Sequence, residues 1–144
     1  MATTVTPYLC IKGAASAIEF YKKAFGATEE LRLMDPSGRV GHAEIRIGEG
    51  RIMLADEFPE YDNLGPQSRG GSSGGLALQV DDVDAAAEQA VAAGAEVLSP
   101  VADQFYGDRS GKLEDPFGHI WHLSTRIEEL SQEEMQRRYD ALMA

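Results

Sequence analysis

Three histidines and a handful of neighbours carry the residue types that move protons. His42 stands two residues before Glu44, and side chains at i and i+2 of an extended segment share one face. This pairing suits a base with an orienting carboxylate, because imidazole titrates nearest neutrality of all side chains. The competing reading is a solvated strand whose charges pair across to a neighbouring strand. His122 lies in an alternating run, residues 119–123, and is expected to share its face with Ile120 and Ser124. Its alternative is a hydrogen-bonded interior histidine. His119 falls in a turn and reads as structural. Asp108-Arg109 follows Phe105-Tyr106. An arginine fork suits carboxylate or phosphonate oxygens, and the aromatics would supply an apolar wall. The plainer reading is an Asp–Arg salt bridge in a turn. Cys10 is the one cysteine. It has no base beside it in sequence, which argues against a nucleophile, and no partner for an intramolecular disulfide.

The elements that would position these groups follow from periodicity. Residues 7–11 are short and extended. Ala14, Ala17, Ile18, Tyr21, Ala24 and Phe25 recur at helical spacing, and Gly26 ends the run. Strand-like pieces follow at 31–33, 43–47 and 51–55, separated by turns at 35–38 and 48–50. Ala43, Ile45 and Ile47 should face the helix. His42, Glu44 and Arg46 then project the other way, and Thr6, Tyr8 and Cys10 share the matching face of the first strand. Residues 58–75 are rich in Gly, Ser and Pro and read as a linker. A phosphate cradle fails there, since no Gly-Lys-Ser/Thr follows.

The second half repeats the plan. Residues 76–80 alternate. Asp81 or Asp82 can cap a helix bearing Val83, Ala87, Ala90 and Val91, and Gly94 stops it. Extended pieces recur near 96–98, 104–106, 112–113 and 119–123, with Trp121 and Leu123 facing the helix. Gly26 and Gly94, Gly50 and Gly118, and Ile52 and Ile120 are each 68 residues apart, and Ile11 and Val80 are 69 apart. An internal repeat outranks local signals. The expectation is an α+β chain of two βαβββ modules, at 1–57 and 76–125. Their curved mixed sheets should enclose a cavity within one compact domain. In the tail, 126–144, Ser131-Gln132-Glu133-Glu134 forms a capping box opening a helix with a Met135, Tyr139 and Leu142 stripe.

The chain has 144 residues, with 13 Lys+Arg against 24 Asp+Glu and a net charge of −11. That balance excludes a basic nucleic-acid binder and a polybasic membrane anchor. It favours solubility and attracts cationic small molecules. No basic region precedes an apolar run at the N-terminus, and no stretch of about 18 apolar residues occurs. A cytoplasmic protein is expected.

Taken in order, Ala17-Ile18-Glu19-Phe20-Tyr21-Lys22-Lys23-Ala24-Phe25-Gly26, Val80-Asp81-Asp82-Val83-Asp84 and Asp115-Pro116-Phe117-Gly118-His119 carry a likeness spanning nearly the whole chain. It resembles the vicinal oxygen chelate superfamily, which includes glyoxalase I, bleomycin-resistance proteins, fosfomycin-resistance enzymes and extradiol dioxygenases. Gly107-Asp108-Arg109, residues 115–121 and Ile127-Glu128-Glu129-Leu130 are similar to its PhnB-like subgroup. The resemblance implies a homodimer with a small-molecule cavity. It also implies a divalent metal held by four His, Glu or Gln side chains from the first and last strand of each module. Those positions fall on Thr6, Leu54, Gly75 and His122, of which only His122 is a suitable ligand. No cofactor is therefore expected, with a divalent metal as the alternative. The expected activity is lyase-, isomerase- or transferase-type acid/base chemistry without the usual metal site. His42, Glu44 and His122 would act as acid/base groups, and Tyr8, Arg46, Phe105, Tyr106, Asp108 and Arg109 would hold the substrate. The alternative is a non-catalytic resistance protein that sequesters a cationic drug, favoured by the net charge and the missing ligands.

Overall fold

A computed structural model describes residues 1–144. The first half forms β1 (Tyr8–Ile11), α1 (Ala14–Phe25), β2 (Thr28–Met34), β3 (Val40–Ile47) and β4 (Gly50–Asp56). α1 ends where Gly26 adopts φ 68° and its N–H bonds back to Lys22. Its start has no local side-chain cap. Asp56 at the end of β4 supplies one: Oδ1 accepts from the Gly13 and Ala14 N–H groups at 3.2 and 2.7 Å, and Oδ2 accepts from Val40 N–H at 2.7 Å. The segment after β4 holds a 3₁₀ turn, Pro59–Tyr61, and the short α2 (Pro66–Arg69).

The second half forms β5 (Gly75–Gln79), α3 (Val83–Ala93), β6 (Glu96–Asp103), β7 (Asp108–Glu114) and β8 (Ile120–Arg126), followed by α4 (Gln132–Met143). Asp82 caps α3 by accepting from Ala85 N–H at 3.1 Å, and Ser131 caps α4 through Glu134 N–H at 3.1 Å.

The strand orders are β1-β4-β3-β2 and β5-β8-β7-β6, the same path in both modules. In each sheet the first and last strands of the module run parallel and the other pairs antiparallel. The fold is α+β, two βαβββ modules with a C-terminal helix. The sheets stay open rather than closing into barrels.

One hydrophobic cluster joins the modules. It takes Ala17, Ile18 and Tyr21 from α1, Ile45 and Leu54 from the first sheet, Ala90 from α3, and Trp121 and Leu123 from the second. Tyr21 and Phe25 bring their rings to 5.4 and 4.5 Å from the Trp121 ring. The two helices therefore form a layer between the sheets. A carboxylate locks this joint: Asp115 Oδ2 accepts from Tyr21 Oη at 2.6 Å and from Trp121 Nε1 at 2.9 Å. Its Oδ1 takes the Phe117 and His119 N–H groups. Since both sheets turn their apolar sides to the shared helix layer, their other sides point outward in opposite directions. A single chain thus presents two open faces, and the depression that both modules line, about 840 Å³, lies away from those faces, between the Gly48–Gly50 turn and Ala77–Asp81. No helix is long and apolar enough to cross a membrane.

Candidate functional site

On the first sheet, alternation sorts β3 cleanly. Ala43, Ile45 and Ile47 are buried, while His42, Glu44 and Arg46 lie on the outward face. In β1, Leu9 and Ile11 are buried, and Tyr8 and Cys10 face outward. Tyr8 pairs with Met53 on β4, which pairs with Glu44 on β3. The Tyr8 ring spans that intervening strand. Its hydroxyl lies 2.7 Å from His42 Nδ1, with ring centroids 5.4 Å apart. His42 Nε2 lies 2.8 Å from Glu44 Oε2. A carboxylate only accepts, so Nε2 carries the proton and Nδ1 accepts from the Tyr8 hydroxyl. The result is a continuous chain of phenol, imidazole and carboxylate.

Tyr8 is 53% exposed, so the outer end of this chain is open to a ligand. Burial, followed by the nearby Cys10 and Glu44, raises the phenol above its ordinary value. A stable phenolate is therefore disfavoured. A relay does not need one, because the phenol oxygen can take a proton while its own proton passes to His42. Burial and then the Glu57 charge push the Cys10 thiol up, which keeps it protonated and poorly nucleophilic. Beside the relay lies a depression of about 410 Å³ lined by Tyr8, Cys10, Gly41, Ala55 and Phe58. Arg46 shares the face but is engaged by Glu30 at 3.3 Å and by the Glu49 carbonyl at 3.4 Å.

On the second sheet Trp121 and Leu123 are buried and His122 faces outward. His122 pairs with Ala77 on β5 and with Lys112 on β7, and Ser124 pairs with Ser110. These groups line a depression of about 380 Å³, together with Ser99 and Tyr106. A Cβ on Gly75 would stand 2.9 Å from the His122 ring, so the imidazole lies across a stretch of β5 that only glycine leaves clear. Tyr106 Oη and Ser110 Oγ are 2.9 Å apart. Asp108, 8% exposed, accepts from Arg126 Nε at 2.6 Å.

Two expected substrate contacts are redirected. Arg109 lies one residue out of phase with Asp108 and Ser110, so it leaves this depression for the α3 side. Its Nε and Nη2 hold Asp84 at 2.9 and 3.0 Å, and Nη1 holds Asp103 at 3.0 Å. Those carboxylates raise its pKa further and occupy its fork, so it is not free to hold an anion. Phe105 packs on Tyr106 and on Tyr139 of α4, at 5.1 and 5.3 Å between centroids, and its carbonyl accepts from Arg138. It anchors the tail helix rather than walling a ligand site. His119, buried, reaches the Cys10 carbonyl at 3.1 Å and serves the fold. Lys112 is the outward residue that sequence reasoning misses. Its signal is weak: an alternating position in a run that reads as extended only at 112–113.

The four positions at which the resemblance implies metal ligands do not fit a divalent ion. Leu54 is fully buried against the helix layer. The outward residues of β4 beside Tyr8 and Cys10 are Met53 and Ala55. A shift of one residue along a strand reverses the face, which is why counting by the repeat lands inside. Gly75 has no donor, and the neighbour of His122 across the ladder is the cation Lys112. Three or more His, Cys, Asp or Glu side chains nowhere come together as a metal site. The structure brings Tyr8, His42 and Glu44 together. It places His122 on the opposite outward face of the same chain.

Comparison with known proteins agrees with this architecture. An uncharacterised protein of Mycobacterium bovis is 42% identical over 135 residues, covering 92% of this chain and 89% of that one. The crystal structure of protein PA1353 from Pseudomonas aeruginosa superposes with a TM-score of 0.71 at 26% identity, covering 88% of this chain and 100% of the other. A PhnB protein from Bacillus cereus shares the fold, with a TM-score of 0.68 at 18% identity over 85% of this chain and 99% of that one. Residues 3–123 match the family model of the Glyoxalase/Bleomycin resistance protein/Dioxygenase superfamily, and the chain belongs to that superfamily.

Proposed function

We propose that the protein is a small-molecule enzyme of the glyoxalase/bleomycin-resistance type, in which Tyr8, His42 and Glu44 form a metal-free proton relay. The observation that carries this reading is the hydrogen-bonded chain at 2.7 and 2.8 Å, ending in a half-exposed phenol. A proton leaving an oxygenated substrate goes to Tyr8 Oη, the Tyr8 proton goes to His42 Nδ1, and Glu44 holds the imidazolium. Returning the proton to another atom completes an isomerisation, lyase or addition step.

In this reading the protein acts in the cytoplasm as a homodimer. Each outward face is a wall without an opposite wall, and a second copy supplies it by laying its second sheet over the first sheet of its neighbour. Tyr8, Leu31, Leu33 and Met34 are all exposed on or beside the first sheet and support such a cover. A specific observation also favours a second reading, a non-catalytic binder of a cationic drug: the net charge of −11.

The test is a screen of the wild type for lactoylglutathione formation and fosfomycin modification, beside binding of cationic glycopeptides. Turnover that disappears in Tyr8→Phe while ligand binding persists supports the relay. Saturable glycopeptide binding with no turnover overturns it in favour of the binder. Elemental analysis of protein purified without added metal should find no stoichiometric transition metal, and one per chain overturns the metal-free step. Sizing at micromolar concentration should give a dimer, and a clean monomer overturns the shared cavity.

A further inference from the structure

We infer that the outward face of the second sheet carries an oxyanion-binding site, centred on Lys112 and suited to a carboxylate, phosphonate or phosphate group on a small molecule. This deepens the proposed function by naming the substrate class, and it rests on that reading for the claim that the bound molecule is a substrate.

Charge is the first support. The chain carries 24 acidic against 13 basic residues, and every arginine enters an ion pair, while Lys12, Lys23 and Lys112 do not; of these three, Lys112 alone lines the depression on the second sheet. Arg46, Arg109 and Arg126 are held by Glu30, by Asp84 with Asp103, and by Asp108 respectively. Lys112 enters no ion pair within 4.0 Å, although it lies in a depression rather than on a free tip. The one carboxylate lining that depression is Asp108, and Arg126 already holds it at 2.6 Å. Glu114, the next outward residue of β7, makes no ion pair with Lys112 either. The depression is thus a local positive spot on an acidic protein, which draws in a small anion and repels a cation.

Geometry then supplies the remaining donors. Lys112 and His122 stand opposite each other across β7 and β8. Ser110 and Ser124 form the next outward pair, and Ser99 flanks Lys112 from β6. An ammonium, an imidazole and three hydroxyls therefore surround a space of about 380 Å³. Hydrogen bonds from charged donors to an oxyanion are roughly twice as strong as neutral ones, and lysine serves as a point charge for them. Gly75 keeps the imidazole laid over β5, so the floor of the site is set by backbone packing.

The experiment is a titration of the full-length ¹⁵N-labelled protein with inorganic phosphate, methylphosphonate and acetate in turn, at constant ionic strength, read from amide shifts. The site predicts saturable shifts confined to the depression, at Ser110, Lys112, His122 and Ser124, for at least one of the three anions. The tightest-binding anion identifies the head group. Lys112→Met should weaken that binding roughly tenfold or more, and Lys112→Arg, which keeps the charge, should stay within about threefold of wild type. Shifts that never saturate, that scatter over Lys12 and Lys23, or that persist unchanged in Lys112→Met overturn the proposal. Tyr8→Phe is the separating variant. If it keeps both anion binding and full turnover, the relay fails and the anion site stands. If it loses turnover while wild-type protein shows no saturable anion binding, the relay stands and the anion site fails.

Discussion

The outward faces of the two sheets share one strand order and carry different chemistry. Tyr8 opposite Met53 in the first sheet occupies the place of Ala77 opposite His122 in the second. Around the first pair stand the Glu44 carboxylate, His42 as its partner, and Glu30 bridging Arg46 and Arg51. Around the second stand Lys112 and serines. The inward residues differ far less: Leu54 and Leu123 are both fully buried, and Ile52 and Trp121 are both nearly so. The contrast teaches how a repeated module takes on function. Packing against the helix layer constrains every second residue of a strand, and the residues between are free to diverge.

The largest effect expected is on that difference itself. Tyr8→Phe or His42→Ala should cut turnover by about 10²–10⁴-fold, the usual worth of general acid–base catalysis, with little change in thermal midpoint. His122→Ala should leave the first face and its hydrogen bonds intact. A turnover loss in His122→Ala equal to that of Tyr8→Phe would show that both faces donate catalytic groups. Next in size is the inward side. Leu54→Ala should cost about 2–5 kcal/mol in urea unfolding, whereas Met53→Ala should cost less than about 1 kcal/mol. The reverse order would mean that the assigned faces of β4 are exchanged.

The joint between the two regions comes third. Tyr21→Phe leaves Asp115 short of a donor and should cost about 1–3 kcal/mol. Burial, then the Asp115 charge, raises the Tyr21 phenol well above 10.0. A raised folded value means that this contribution is complete below pH 10.0 and is lost as pH climbs through the folded value. Unfolding at about pH 8 and about pH 11 should therefore differ less in Tyr21→Phe than in wild type. Gly75→Ala is smaller. It should move the His122 ring and weaken anion binding severalfold without unfolding the protein, and an unchanged His122 spectrum would show that no steric contact holds the ring there. Least of all, Arg109→Gln should leave anion binding untouched and barely alter stability, since exposed ion pairs contribute little.

Several of these features are legible in the order of residues alone. The outward placement of His42, Glu44 and His122 follows from strict alternation with neighbours that must be buried. The βαβββ repeat follows from matched glycines and strands. Other features are not legible there. The contact of Tyr8 with His42 joins residues 34 apart and requires a parallel β1 beside β4, with a ring long enough to cross it. The spacing of the helix stops, 68 residues, differs by one from that of the matching strand rungs, because connections and bulges do not repeat as strands do. That single residue makes Leu54 a core position where the repeat offset points outward. Arg109 reads as an anion holder because Asp84, which takes two of its donors, sits on a helix that sequence adjacency does not reveal.

The order of residues by itself determined which side of each strand is apolar, where the helices stop, and that three of the four positions implied for metal ligands carry Thr, Leu and Gly, because these depend on local periodicity and residue type. Tertiary structure alone decided which polar groups meet. It laid both helices between the sheets, since each sheet must cover its apolar side. It thereby joined Tyr8 to His42, set Lys112 beside His122, and sent the two histidine faces in opposite directions.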